Sequence, residues 1–282
     1  MINSIKTVRV KNIVEECSNI RTISFNMREL EVNIYNQPKP GQFVMVWVPG
    51  VDEIPMSISA CNDMGDWSFT VKNIGECTNA LFDIKVNDYI GIRGPYGNSF
   101  SLPIKKIKKA FLIGGGTGIA PLNYLSQILN KKGIKTVIIY GARVIDELIF
   151  TNNLKNSNNE LSEILYCTDD GSYGEKGFAS ETFRNLIMKE SLEQLKSVIV
   201  YTCGPEKMMY NVFKICENKK IEVQASLERM MRCGCGLCGL CAVDPLGLLV
   251  CKDGPIFNSK TLREMDDFGK YKRDMSGKKI PL

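Results

Sequence analysis

Four cysteines fall within nine positions of the stretch MRCGCGLCGLCAV: Cys233, Cys235, Cys238 and Cys241. A fifth, Cys251, follows ten residues later. The other six, at 17, 61, 77, 167, 203 and 216, are scattered through the 282-residue chain. This is not the even spread of a secreted disulfide framework. Thiols crowded in a reducing compartment hold metal or carry electrons more often than they form bridges. The chain contains no histidine. That removes Ser-His-Asp catalysis, mixed Cys/His zinc sites and a Rieske-type centre.

Spacing narrows the choice. Cys233, Cys238 and Cys241 are separated as C-x4-C-x2-C, which with a distant fourth thiol is the plant-type [2Fe–2S] arrangement; Cys251 is the fourth. Gly234, Gly236 and Gly239 let a loop adopt positive φ and aim backbone N–H groups at sulfur. Cys235 is then spare. Two rivals use the same residues. Cys235, Cys238 and Cys241 open a [4Fe–4S] run, whose next cysteine would be at 245, where Pro245 stands. A zinc site made of four cysteines would use Cys238 and Cys241 as one pair, with only Cys251 near enough to begin a second. Zinc, [4Fe–4S] and inert thiols stay open beside the two-iron reading.

A chain this long predicts two or three domains. Hydrophobic content of 44% and charged content of 24% fit a soluble globular protein. No apolar run reaches the roughly 18–20 residues of a membrane span, and the start, MINSIKTVRVKNIVEE, lacks the apolar centre of a signal peptide. The expected location is the cytoplasm, with no membrane partner. A net charge of +5 is mild and gives no reason to expect nucleic acid.

Residues 1–102 read as six short strands bounded by Gly, Pro, Asn or Asp, a pattern for a small antiparallel β-barrel. From 103 to 225, strands alternate with helices: KKAFLIGG, NYLSQILNKKG, KTVIIYGAR, SEILYCTDDG, ASETFRNLIMKE, SVIVYTCG, PEKMMYNVFKICENKK and IEVQAS. That predicts an α/β domain with a parallel sheet covered on both faces. Residues 226–282 form a third unit, the small cluster segment and a polar basic tail.

The loop GGGTGIAP joins a buried strand to a helix. Gly114, Gly115, Gly116, Thr117 and Gly118 leave room for a ligand at the helix N-terminus, where free N–H groups suit a pyrophosphate. Pro121 is harmless so near the helix start. The full G-x-G-x-x-G fingerprint is not met, since Ile119 holds its third glycine position. The loop with Cys203, Gly204 and Pro205, and that with Asp169 and Asp170, end other strands on the same carboxyl edge, where ligands of open α/β sheets bind. The aspartates would repel a 2′-phosphate and favour NAD, although paired aspartates also make ordinary turns.

Barrel, GGGTGIAP and CGPEKMM together resemble the ferredoxin–NADP reductase superfamily, a flavin-binding barrel followed by a pyridine-nucleotide domain. The family's Arg-x-Tyr-Ser strand is matched by IPMSIS: Pro55, Met56 and Ser57, with Ile54 and Met56 in place of arginine and tyrosine. The arginine that pairs with the flavin phosphates is therefore missing there. The resemblance also places Val71, Lys72 and Asn73 near the flavin. Its Gly-x-x-Thr element is matched by Gly75, Cys77 and Thr78, implied to offer backbone N–H groups and a hydroxyl to phosphate.

The stretch SLERMMRCGCGLCGLCAV, with Cys251 before Lys-Asp-Gly-Pro, is similar to the electron-transfer subunits of NAD-dependent (class B) dihydroorotate dehydrogenases. This resemblance covers essentially the whole chain. It implies FAD, a [2Fe–2S] cluster and NAD(H), with a partner: an FMN-containing dihydroorotate dehydrogenase catalytic subunit, two of each in a heterotetramer. Flavin is needed because hydride chemistry moves two electrons and the cluster takes one. No residue is required as acid or base for hydride transfer. Cys203 is the side chain expected near the nicotinamide; otherwise it is a buried thiol at a strand end. The alternatives are a flavin–cluster reductase subunit of another complex (NADH-dependent ferredoxin–NADP oxidoreductase, sulfide dehydrogenase or hydrogenase) and a zinc-stabilised regulatory module. The tail from Lys260 to Leu282 has more lysine and arginine than acid. It is read as a solvated segment or a grip on an acidic partner. The basic run at 105–109 is read as interdomain surface.

Overall fold

The structure, a computed structural model, describes residues 4–28, 37–102, 107–151, 154 and 161–282. The basic run at 105–109 therefore lies partly outside the described residues.

Six antiparallel strands close the expected barrel: β1 (Lys6–Cys17), β2 (Ile20–Asn26), β3 (Phe43–Val48), β4 (Asp52–Cys61), β5 (Asp66–Lys72) and β6 (Tyr89–Tyr96), in the order β1-β2-β5-β4-β3-β6. Alternation drives the closure. Ile23 and Phe25 of β2 and Trp67, Phe69 and Val71 of β5 point into the core. Ser24 and Ser68, which alternate with them in sequence, face out and hydrogen-bond across the pair at 2.8 Å. A short helix, α1 (Glu76–Asp83), sits between β5 and β6.

The second sheet has a parallel part made of β7 (Lys109–Gly115), β8 (Lys135–Ala142), β9 (Ser162–Thr168), β10 (Glu175–Lys176), β11 (Val198–Cys203) and β12 (Glu222–Ser226). With the edge strand β15 (Ile256–Asn258), the order across it is β10-β9-β8-β7-β11-β12-β15. Among the described residues, four α-helices belong to this domain: α2 (Ile119–Lys131), α3 (Ala179–Ile187), the one-turn α4 (Leu192–Leu195) and α5 (Glu206–Lys219). β7 shows why its sequence is a continuous apolar run. Ala110 and Leu112 share a core with α2, while Phe111 and Ile113 pack with α3 and α5. Beyond the end of α2, Gly133 takes φ +73°, a conformation glycine adopts without a Cβ penalty.

The third segment is more structured than a cluster loop followed by a free tail. It forms a small hairpin of β13 (Ala242–Val243) and β14 (Leu248–Leu249), then β15, a helix α6 (Ser259–Glu264), and a terminal hairpin of β16 (Tyr271–Arg273) and β17 (Lys279–Pro281). β15 pairs antiparallel with β12, so this segment completes the nucleotide-domain sheet. The tail is corrected on a second count. Arg273 binds Asp244 at 2.6 Å, Lys279 bridges Asp244 and Asp267 at 3.0 and 2.5 Å, and Arg263 binds Glu217 at 2.7 Å. These cations hold the chain's own fold and are not free for a partner.

Candidate functional site

Strand β4, which carries the stretch expected to meet flavin, has a ladder partner on one side only over Pro55–Ser57. Its pairing with β5 runs from Cys61–Trp67 to Ile58–Phe69; among the described residues it goes no further. Pro55, Met56 and Ser57 keep their partners on β3 (Met45, Val44 and Phe43), while Val71 and Lys72 keep theirs on β2. The barrel wall thus opens between the two stretches expected to meet flavin. Val71 is wholly buried in the barrel core, so only its backbone can face the opening. Lys72 reaches out of the barrel to Glu147 at 3.3 Å, and Arg143 binds the same carboxylate, with Nε at 3.0 Å. The Arg143 hydrogen bond, then Lys72, pull the Glu147 carboxyl down to about 2 against the opposing effect of burial. Sequence reasoning misses both Arg143 and Glu147; the available signal is a cation directly after the strand that ends in Gly141–Ala142.

The loop before α1 differs from expectation in one respect. The Thr78 hydroxyl accepts from the N–H groups of Ile74 (2.9 Å) and Gly75 (2.8 Å) and donates to the Gly75 carbonyl (2.8 Å). It is fully used in shaping the helix start and has no hydrogen left for a phosphate. The Cys77 thiol points to the Asp52 carbonyl, and burial pushes it up to about 11. What this turn can offer an anion is its backbone: no atom lies within 4 Å of where a Gly75 Cβ would stand, and first-turn N–H groups have no intrahelical partner. Asn73 Oδ1, buried beside this loop with no hydrogen-bond partner, fits a polar ligand here; Ser59 Oγ on β4 and Asn123 Oδ1 on α2, the helix packed against β4, are likewise buried and unpartnered.

In the glycine loop the protein itself fills much of the space. A Cβ on Gly118 would collide with the Cys203 carbonyl, and one on Gly115 would lie 2.6 Å from Pro205 Cδ. A Cβ on Gly114 would meet Ile119 at 2.9 Å. Gly115 and Gly118 let the 114–118 and 203–205 loops interlock. Gly116 alone among them has φ +53° and open space around the missing Cβ. It is the place where a nucleotide can approach the backbone. Cys203 pairs with Gly114 across β11 and β7 and is partly buried. Burial pushes its thiol up to about 12 against a hydrogen bond with Ser226, and the Glu228 charge adds to the rise, so the group is a neutral thiol at pH 7. Asp170 is turn chemistry: its Oδ1 accepts from the N–H and hydroxyl of Ser172, and those bonds lower its pKa. Asp169 is the aspartate that feels Arg143, and burial raises its pKa.

The cysteine loop lies on the barrel. Gly234, at φ +68°, allows the backbone to sit on Met45 and near Tyr96, and Asn98 ties the same segment down through Gly254, Asp253 and Ile256. Cys233 Sγ accepts from the N–H groups of Leu237 (3.3 Å) and Cys238 (3.5 Å). Burial pushes the Cys233 thiol up, but backbone donors from Cys238, Cys235 and Leu237 outweigh it and hold it near 6. Cys241 Sγ accepts the Cys251 N–H at 3.5 Å. The side chains of Cys233 and Cys238 lie in mutual reach, as do those of Cys241 and Cys251, and Cys251 feels Cys233. Among the described residues no three such side chains close on one ion-sized point. Cys233 with Cys238, and Cys241 with Cys251, could hold two irons, each taking two thiolates. Cys235 is also within reach of the Cys233 thiol and lies beside Arg93; it is the cysteine that the C-x4-C-x2-C spacing leaves spare.

Arg229 and Glu206 form a buried ion pair, with side chains 2% and 8% exposed, which joins the cysteine segment to the start of α5 after Pro205. Leu237, at the tip of the cysteine loop, is 84% exposed.

Comparison with known proteins gives a consistent picture. Three family models match in order: an oxidoreductase FAD-binding domain over residues 7–100, an oxidoreductase NAD-binding domain over 112–214, and the iron–sulfur cluster binding domain of dihydroorotate dehydrogenase B over 228–263. The chain is 43% identical over 272 residues, 96% of each chain, to a protein of Methanocaldococcus jannaschii described as the probable dihydroorotate dehydrogenase B (NAD(+)), electron transfer subunit. A protein of Methanothermobacter thermautotrophicus with the same description is 37% identical, covering 99% of this chain and 98% of that one. A solved structure of an NADH-dependent reduced ferredoxin-NADP oxidoreductase superposes with TM-score 0.77 at 26% identity, covering 92% of this chain and 89% of that one. A ferredoxin-NADP+ reductase of Plasmodium falciparum, at TM-score 0.62 and 22% identity over 80% of this chain and 97% of that one, shares the fold alone.

Proposed function

The chain belongs to the family of dihydroorotate dehydrogenase B (NAD(+)) electron transfer subunits, and from that premise we propose how its own residues carry electrons between NAD(H), FAD and a [2Fe–2S] cluster. The observation that carries the reading is one continuous core. Phe43, Met45 and Tyr96 of the barrel, Ile113 and Val200 of the sheet, and Cys241, Val250 and Cys251 of the third segment pack together. Three sites built on one core keep fixed spacing, which electron transfer requires.

When bound, FAD supplies the exchange between two-electron hydride chemistry and one-electron iron–sulfur chemistry. The opening between Pro55–Ser57 and Val71–Lys72, with Asn73, Gly75 and the N–H groups near Cys77 and Thr78, is the proposed flavin site. Gly114–Gly118 and Cys203–Pro205 form the proposed nucleotide site, with Gly116 open to the ligand and Asp169 disfavouring a 2′-phosphate. The neutral Cys203 thiol positions the nicotinamide without adding charge. Cys233, Cys238, Cys241 and Cys251 hold the cluster. The same reading divides the chain at 102/103 and 225/226, and the three family matches fall within the three parts.

The partner proposed is an FMN-containing catalytic subunit that oxidises dihydroorotate, two of each in a heterotetramer. It docks over the cysteine loop, where Leu237 stands out in solvent beside the exposed Cys238. Among the described residues no helix is long and apolar enough to cross a membrane.

Purification without oxygen tests the reading. It expects about one FAD and two irons per chain, and co-purification with the FMN-containing subunit. A colourless, zinc-containing protein would overturn it; a flavin–iron protein captured by a different oxidoreductase would move it to another complex.

A further inference from the structure

We propose that Arg93, oriented by Glu53, sets the local charge beside the cysteine loop and so tunes how readily the cluster accepts an electron. The inference rests on the reading that Cys233, Cys238, Cys241 and Cys251 hold a [2Fe–2S] cluster.

Arg93 stands on β6, and Glu53 on β4 directly before the flavin stretch Ile54–Ser57. The two form a bidentate pair, Nε to Oε1 at 2.6 Å and Nη2 to Oε2 at 2.5 Å. The same Nη2 donates to the Cys233 carbonyl at 3.2 Å, while Nη1 donates to the Tyr96 hydroxyl at 3.3 Å. The guanidinium also lies over the Tyr96 ring, 5.7 Å from its centre. Beside it is Cys235, whose side chain also reaches Cys233 and which the proposed ligand set leaves out. One cation of the barrel thus grips the backbone of a proposed iron ligand, and its counter-ion extends from the flavin strand.

The charge order fixes the sign of the effect. Arg93 touches the cluster loop, and Glu53 holds Arg93 from the strand beyond. Reduction of a cluster held there would add one electron and one negative charge, with no bond made or broken and no proton required. A positive group nearby favours that state. The Arg93 and Glu53 side chains are only 13% and 18% exposed, so water and salt screen them incompletely. Removing the cation leaves the Glu53 charge uncompensated and should make the cluster harder to reduce. Neutralising Glu53 leaves the cation uncompensated and should make it easier. Arg93 is a positioning residue in this account, since its contact is with the Cys233 carbonyl.

The test is an EPR-monitored redox titration of the full chain, prepared without oxygen, for wild type, Arg93→Gln, Arg93→Lys and Glu53→Gln. Iron content and the flavin titration are measured alongside. Arg93→Gln should raise the oxidised-to-reduced cluster ratio at a fixed potential at least threefold, and Glu53→Gln should lower it at least twofold. A tenfold change corresponds to about 59 mV for one electron. Arg93→Lys should recover at least half of the Arg93→Gln change, and the flavin should shift less than the cluster. A purely structural role would move both neutralising variants the same way, or neither, and either outcome overturns the proposal. If Arg93→Gln fails to fold or loses iron, Glu53→Gln alone decides: a shift toward easier reduction supports the proposal, and none overturns it. A wild type without iron would overturn the cluster reading itself, which the iron assay separates from an iron-replete protein with unmoved potentials.

Discussion

The cysteine loop at 233–241 and the glycine loop at 114–118 are both rich in glycine, yet glycine serves different ends in each. In the cysteine loop Gly234, Gly236 and Gly239 all have positive φ, from +68° to +85°, and bend the backbone so that N–H groups meet sulfur. In the glycine loop only Gly116 has positive φ; Gly115 and Gly118 are needed because a second loop fills the space a side chain would occupy, and Gly114 because Ile119 does. The cysteine loop uses glycine for backbone conformation as well as for close approach to Met45 and Lys252, the glycine loop mainly for close approach. A site whose donors are side chains declares itself by residue type and spacing. One built from backbone depends on what packs against it.

The sharpest break of that comparison is at the thiols. Cys241→Ser should abolish the EPR signal of the reduced protein and most of its iron, whereas Cys235→Ser should keep about two irons per chain. Equal iron loss in both would show that the two thiol pairs are not the ligand set. Next is the link between the loops. Glu206→Gln leaves Arg229 buried without its counter-charge and should cost about 3–5 kcal/mol in chemical denaturation. Within the glycine loop, Gly118→Ala should lose roughly 3 kcal/mol by forcing a Cβ onto the Cys203 carbonyl. Gly116→Ala should lose only about 1–2 kcal/mol, from the left-handed backbone, yet weaken NADH binding at least tenfold by titration. A nucleotide affinity unchanged in Gly116→Ala would remove that position from the site.

The smallest effect concerns the bridge between barrel and nucleotide domain. The folded Glu147 carboxyl titrates near 2, below its ordinary 4.5. Its contribution is therefore complete above about pH 4.5 and is lost as the pH falls toward 2. Its Arg143 partner is largely exposed, and screening by water keeps the contribution small. Glu147→Gln should flatten stability against pH in that window and change little at pH 7, as followed by thermal melts.

Strand alternation made the barrel legible, and continuous apolar runs between helices made the parallel sheet legible. The spacing of four thiols and the resemblance they complete pointed to the family. These are properties of neighbours along the chain: local periodicity decides which face is buried, and residue chemistry decides what can be ligated. Three features depended on the tertiary structure. Cys233 has both Cys238 and Cys235 in reach while Cys241 meets Cys251, the Thr78 hydroxyl is used up by its own turn, and the basic tail is tied to Asp244, Asp267 and Glu217. The cation beside the cysteine loop is of the same kind: Arg93 meets Glu53 from 40 residues away and Cys233 from 140. A charged or polar side chain will take any suitable partner within reach, and only the folded chain decides which partner that is.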